Sequence, residues 1–303
     1  MNQREQNIAI FEDTEKQCKT QEKLKHAVKN SSAKQRIYLE TEAMGGLEKK
    51  AEQAGAASTM EKAVTADTAK MTTVVVSKKR SFEAAAAYKG KQICVHNFAS
   101  ATNPGGGVTR GSTAQEECLC RTSTLYFNLN EKKNWDGFYS PHRAMNYPAY
   151  NDDCIYTPEV VVFKDDSANP EMMPEKDWYT VNVLTCAAPN LREKPSNQMN
   201  PGAGTKRVVL SNKELLDIHV KRGRKILEIA RENGNEVVIL GAFGCGAFQN
   251  PPEVVAEAYT KLLAEFEGAF ETIEFAVYCS PKDTTNFDVF QRKIKAYLAG
   301  RKK

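Results

Sequence analysis

The hydrophobic positions fall into two regimes along the chain. Through residue 70, Lys, Glu, Gln and Ala dominate, and Ile8, Phe11, Cys18, Leu24 and Ala27 recur at loose helical spacing. This predicts an N-terminal helical extension over residues 1–70, partly mobile, with the small-residue stretch AEQAGAAS as a linker. From residue 72, short β-branched runs alternate with helical segments: TTVVVS, SFEAAAAY and QICVHNFA read as strand, helix, strand. The alternation resumes with YTVNVLTCAA (179–188), SNKELLDIHVKRGRKILEIARENG (211–234), EVVILGAFG (236–244), PPEVVAEAYTKLLAEFEG (251–268), FAVYCS (275–280) and TNFDVFQRKIKAYLAG (285–300). It predicts an α/β fold for residues 71–303, a mainly parallel or mixed sheet flanked by helices on both faces.

Composition sets limits on this picture. A chain of 303 residues, 41% hydrophobic and 26% charged, can bury a substantial core. Its 42 basic and 38 acidic side chains leave a net charge of +4, too small an excess to imply direct DNA binding, though it would not repel an anionic ligand. No run of about 18 apolar residues occurs, and MNQREQNIAIFEDTEKQCK is too charged for a signal peptide. An intracellular, cytoplasmic monomer without membrane contact is expected, nuclear only in a eukaryote. The eight cysteines, at 18, 94, 118, 120, 154, 186, 245 and 279, are scattered and include no CxxC pair, which predicts reduced, mostly buried thiols. Cys118 and Cys120 form a CxC, but positions i and i+2 of a helix point about 200° apart and do not readily chelate one ion, so no metal site is expected.

Ligands of such folds bind beyond the carboxyl ends of the strands, so three loops carry weight: SATNPGGGVTRGSTAQEE, AAPNLREKPSNQMNPGAG and GCGAFQNPPE. In the last, a strand runs into a glycine-punctuated turn and a helix start with Pro251, Pro252 and Glu253. Gly241, Gly244 and Gly246 would let backbone amides face an anion, and a side chain at Gly244 is expected to obstruct a phosphate without unfolding the protein. There is no GK[ST], and the glycine spacing is wrong for a Rossmann fingerprint; a plain tight turn is the other reading. In the first loop, Asn103 offers an amide and Gly105, Gly106 and Gly107 an unhindered backbone, which suits sugar hydroxyls and phosphate oxygens. Gln115, Glu116 and Glu117 then open a helix, where the two carboxylates suit the dipole yet repel each other. FYSPHRAMNYPAYNDDCIYTP (138–158) holds too many Pro, Asn and Tyr residues for a regular element and predicts a long loop over the site.

The spacing of GGG, seven residues and QEE resembles the signature of poly(ADP-ribose) glycohydrolases, and NFASATNPGGGVTRGSTAQEECLCRTSTLY is similar to their microbial branch. IYTPEVVVFKDD with VNVLTCAAPN, and VVILGAFGCGAFQNPPEVVA, agree in order and spacing. The resemblance, over roughly residues 72–300, implies a macrodomain with added N-terminal helices. It implies Glu117 as catalytic acid, with Glu116 and Gln115 positioning the ribose and the catalytic loop. Asn103 and Gly105, Gly106 and Gly107 would line the distal ribose and phosphates. Gly241, Ala242, Phe243, Gly244, Cys245, Gly246 and Ala247 would form the diphosphate loop, and Phe248 would lie over the ribose. Poly(ADP-ribose) and ADP-ribosylated proteins are the implied partners and ADP-ribose the product, with no cofactor or metal.

The chemistry suits these residue types. Hydrolysing a ribose–ribose acetal needs a proton for the leaving 2′-oxygen, stabilisation of an oxocarbenium-like transition state and a water at C1″. A neighbouring carboxylate and the substrate diphosphate would both raise the pKa of Glu117. Residues 116 and 117 lie about 100° apart around a helix and cannot flank one bond, so water activation falls to Glu117 or the substrate phosphate. The resemblance favours cleavage from chain ends. Two alternatives stay open: a noncatalytic ADP-ribose reader, against which the intact QEE argues, and a hydrolase of mono-ADP-ribosylated substrates. The histidines at 26, 96, 142 and 219 read as packing or surface groups and Cys245 as a small filler.

Overall fold

The computed structural model describes residues 2–42, 71–280 and 282–301, so the AEQAGAAS linker falls outside the described residues. The strands are β1 (Arg36–Tyr38), β2 (Thr73–Ser77), β3 (Ile93–Phe98), β4 (Cys154–Val162), β5 (Tyr179–Cys186), β6 (Val237–Leu240) and β7 (Thr272–Ala276). They form one mixed sheet in the order β1-β4-β5-β3-β6-β7-β2. From β5 to β2 every neighbouring pair is parallel, while β4 runs antiparallel to both β5 and β1.

Period-two alternation gives the sheet two buried faces. Cys94, Leu184, Val238 and Phe275 point into one core layer, and Ile93, Val95, Val183 and Ile239 into the other. The helices are α1 (Gln3–Thr20), α2 (Glu22–Lys34), α3 (Ser81–Ala85), α4 (Gln115–Thr122), α5 (Leu125–Leu129), α6 (Ser140–Met145), α7 (Asn212–Glu232), α8 (Pro252–Glu265) and α9 (Thr285–Arg301). Ile226, Val255 and Phe290, from α7, α8 and α9, fill the first layer; Phe11, Phe82, Leu119 and Leu125, from α1, α3, α4 and α5, fill the second. The longest helix, α7, starts where Ser211 and Glu214 form a capping box, which satisfies two orphan donors. Among the described residues, no helix is long and apolar enough to cross a membrane.

Three sequence expectations need correction. The strand expected at FAVYCS lies earlier, at Thr272–Ala276. Its polar residues hid it: Glu274 is buried mid-strand because its carboxylate accepts hydrogen bonds from Ser77 Oγ and Tyr88 OH, both at 2.6 Å. The stretch 138–158 is mostly regular rather than a long loop. Trp135–Tyr139 forms a π-helical turn that runs into α6, and β4 starts at Cys154. Pro141 sits where the π-helical turn passes into α6, directly after the wider Ser140 N to Trp135 O pairing that already interrupts the α-helical ladder. Pro158 is absorbed by a bulge between Thr157 and Val160, at which Glu159 takes φ 56° and donates its N–H to Asn182 Oδ1. Finally, the N-terminal region adds a strand as well as helices: β1 supplies one sheet edge and buries Tyr38.

The four adjacent parallel strands β5, β3, β6 and β7 end on the same side of the sheet. Their following loops therefore converge at one edge.

Candidate active site

At that edge lies a cavity of about 670 Å³. Every loop that follows these four strands contributes: Ser100 after β3, Arg192 and Asn200 after β5, Ala242, Phe243, Gly244, Gly246, Ala247 and Phe248 after β6, and Tyr278 after β7. The first turn of α4 closes the wall with Gln115, Glu116 and Glu117.

Gln115 fastens this helix to the end of β3. Its Oε1 accepts from Phe98 N at 2.9 Å, and its Nε2 donates to His96 O and Ser81 Oγ at 2.8 and 3.0 Å. Glu116 is enclosed by donors: Ser100 N lies 2.8 Å from Oε2 and Asn97 Nδ2 3.3 Å from Oε1. Glu117 Oε1 accepts from Gly107 N at 2.8 Å, while the buried Oε2 has no partner among the described residues. The two side chains are 2% and 6% exposed, which makes ionisation costly for both. Burial and the neighbouring Glu117 push the Glu116 carboxyl up to about 8 against the pull of its donors. Burial also raises Glu117, opposed by the Gly107 N–H and Arg121.

The middle glycine of the triplet is required because its backbone lies directly on these acids. Gly106 has φ 56°, and a Cβ there would stand 2.6 Å from Glu117 Oε1 and 3.2 Å from Glu116 Oε2. Both carboxylates thus converge on one point of the loop, which no larger residue could occupy.

The loop after β6 is organised by a buried asparagine. Asn250 Nδ2 donates to Pro189 O at 2.7 Å and Gly244 O at 3.1 Å, and its Oδ1 lies 2.9 Å from His219 Nε2. Burial pushes His219 down to about 4, so the ring is neutral near pH 7. Among the described residues, the amides of Gly246, Ala247 and Phe248 find no acceptor within the protein, and all three residues line the cavity. Such a run of free N–H groups before a helix start accepts an anion.

Of the sequence-derived candidates, the structure places Gln115, Glu116, Glu117, Gly106, Ala242, Phe243, Gly244, Gly246, Ala247 and Phe248 on the wall. Asn103, Gly105, Gly107, Gly241 and Cys245 lie behind it. Asn103 Nδ2 donates to Gly106 O, and Gly105 and Gly107 pack on Tyr126 and Ser112. Gly241 faces Ala276 O and the Phe98 ring, and Cys245 packs against the core. Nor does Gly244 present open space to a ligand: a Cβ there would meet Ala188 Cβ at 2.5 Å and Asn250 Nδ2 at 2.6 Å. The open position is Gly246, with nothing within 4 Å. Phe248 packs against Tyr150, centroids 6.3 Å apart.

Sequence reasoning missed Arg80, Tyr278, Asp166, Asn200 and Asn250. Arg80 lies 4.0 Å over the Tyr278 ring at the cavity wall. Asp166 takes Phe82 N on Oδ2 and leaves its buried Oδ1 without a partner among the described residues. Cys118 and Cys120 diverge: Cys118 Sγ accepts from Arg80 and Arg121, both at 3.4 Å, while Cys120 lies under Gly105.

A mixed sheet whose parallel strands deliver an anion-accepting loop and two buried glutamates to one cavity defines a macrodomain-like hydrolase. The chain belongs to the microbial-type PARG catalytic domain family, whose model matches residues 5–165. It is similar over 96% of its length to the whole crystallised chain of poly(ADP-ribose) glycohydrolase from Thermomonospora curvata, with 29% identity and a TM-score of 0.75. The inhibitor ADP-HPD complex of that enzyme matches with the same identity and coverage and a TM-score of 0.73. The ADP-ribose complex of the Deinococcus radiodurans enzyme matches at 28% identity and a TM-score of 0.69, over 89% of this chain and 97% of that one. A search of curated proteins returned no match.

Proposed function

We propose that this member of the family hydrolyses the ribose–ribose bonds of poly(ADP-ribose) from chain ends and releases ADP-ribose, with Glu117 as general acid and base. The observation that carries this reading is the state of Glu117: a buried carboxyl with a raised pKa, one oxygen fixed by the Gly107 N–H and the other unpartnered, at the wall of the cavity. That arrangement suits a proton donor. The free oxygen gives its proton to the leaving 2′-oxygen as the C1″–O bond breaks, and the carboxylate then takes a proton from the water that attacks C1″. Glu116, held by Ser100 N and Asn97, orients the ribose.

The free amides of Gly246, Ala247 and Phe248 would receive the diphosphate, and the ring of Phe248 would cover the distal ribose. The bound ADP-ribose and ADP-HPD of the solved relatives support a ligand of this class.

Glu117→Gln tests the assignment. Its volume is nearly unchanged and its amide cannot donate and recover a carboxyl proton, so polymer turnover should fall by about 10² to 10⁴ while ADP-ribose binding persists. Cleavage at the wild-type rate would overturn it. Short oligomers among the early products of the wild type, instead of ADP-ribose alone, would overturn chain-end cleavage.

A further inference from the structure

The inner face of α1 touches the back of the catalytic loop rather than the cavity. Its buried residues, Asn7, Phe11, Thr14 and Cys18, repeat at four, three and four positions, which is a single helix face. Asn7 meets the segment between the glycine triplet and Glu117 directly, while Phe11 and Thr14 meet Tyr126 and Arg121, which in turn touch that loop. Asn7 Nδ2 donates to Gly111 O at 3.0 Å, and beside it Arg4 Nε donates to Arg110 O at 2.8 Å. Gly111, at φ 74°, is pressed so closely on the Arg4 carbonyl that a Cβ would collide with it. Phe11 packs edge-on against Tyr126 at 5.0 Å, and Tyr126 in turn abuts Gly105. Thr14 Oγ1 donates to Arg121 O at 2.5 Å, while Arg121 Nη1 donates to Ser112 O at 2.5 Å.

We infer that α1 is a positioning element of the reaction: through Asn7, Phe11 and Thr14 it braces the backbone of residues 105–112 so that the Gly107 N–H holds Glu117. The inference rests on the reading of Glu117 given above. The carbonyls of Arg110, Gly111 and Ser112 are all satisfied from α1 or α4, and Ser112 N returns the loop to Gly107 O at 3.2 Å. The acid's fixed oxygen is therefore only as well placed as this loop. Asn7 touches neither the cavity nor the carboxylates, so it positions and does not react.

Asn7→Asp tests the brace because it keeps the shape of the side chain and removes the donor to Gly111 O. Polymer turnover should fall at least about tenfold, because small displacements of a reacting group cost orders of magnitude. ADP-ribose affinity should change by less than about fivefold, and the amides of residues 107–113 should exchange with solvent faster. Ser31→Ala is the control. Ser31 Oγ donates to Pro158 O at 2.5 Å, remote from the loop, so its loss lowers stability without altering turnover or loop exchange. Unchanged turnover and exchange in Asn7→Asp would overturn the inference, as would an equal turnover loss in Ser31→Ala. A wild-type protein that fails to cleave polymer would count against the proposed function alone, since loop exchange in Asn7→Asp still decides the brace.

Discussion

Glu116 is the more enclosed of the two acids, and its environment makes the pair titrate as a unit. Because burial and its neighbour push it up to about 8, the pair keeps one proton across neutral pH. Turnover should fall at alkaline pH, where the donor Glu117, itself raised by burial, gives up its proton. The linkage has the same sign for stability: an acid raised on folding favours the fold below its unfolded value, and that contribution is lost as pH rises through about 8. In Glu116→Gln the like charge is gone, so the alkaline limb of kcat should move to lower pH, as a pH–rate series on polymer would show. An unmoved limb would mean that the two carboxyls do not share a proton.

At the level of the element, the loop after β6 separates two glycines that look alike in GAFGCGAF. Gly246→Val should weaken ADP-ribose binding by about tenfold or more with the fold intact, since its Cβ enters open space on the cavity wall. Gly244→Val should instead destabilise the protein by about 1–3 kcal/mol or more, because the position combines φ 77° with contact on Ala188 and Asn250. Calorimetry and thermal unfolding of the two variants check this division. The glycines, QEE and the strand-to-helix turn were legible because each is a local pattern. Which glycine has open space before it was not, since that depends on where Asn250 pulls the turn. Arg80 and Tyr278 escaped for the same reason: they lie far apart in sequence and meet only through neighbouring loops. The sheet was legible wherever β-branched runs alternate with amphipathic stretches. It failed at β7, where Glu274 is compensated by Ser77 and Tyr88, and at β1, where three residues carry no periodicity.

For the whole molecule, acid sensitivity follows from two buried histidines. Burial and His219 hold His96 down at about 3, and burial holds His219 at about 4, against an ordinary value near 6.5. Both are neutral in the fold and protonate in the unfolded chain below about 6.5, so their stabilisation is present above that pH and is lost as pH falls toward 3 to 4. The thermal midpoint should drop through this window, and His96→Phe, in a slot between Phe98 and Phe243, should flatten the drop. Strand order also bears on how the protein is made. Both outer strands come from the first 77 residues, yet β1 pairs with Tyr156, Ile155 and Cys154, and β2 pairs with Thr272–Ala276. On the ribosome, β2 has no partner until nearly the whole chain has been synthesised. The β7–β2 end of the sheet is thus completed last, from contacts of long sequence separation that form slowly. Until then an unpaired VVV edge is open to other chains, a reason for such a protein to depend on chaperones during synthesis.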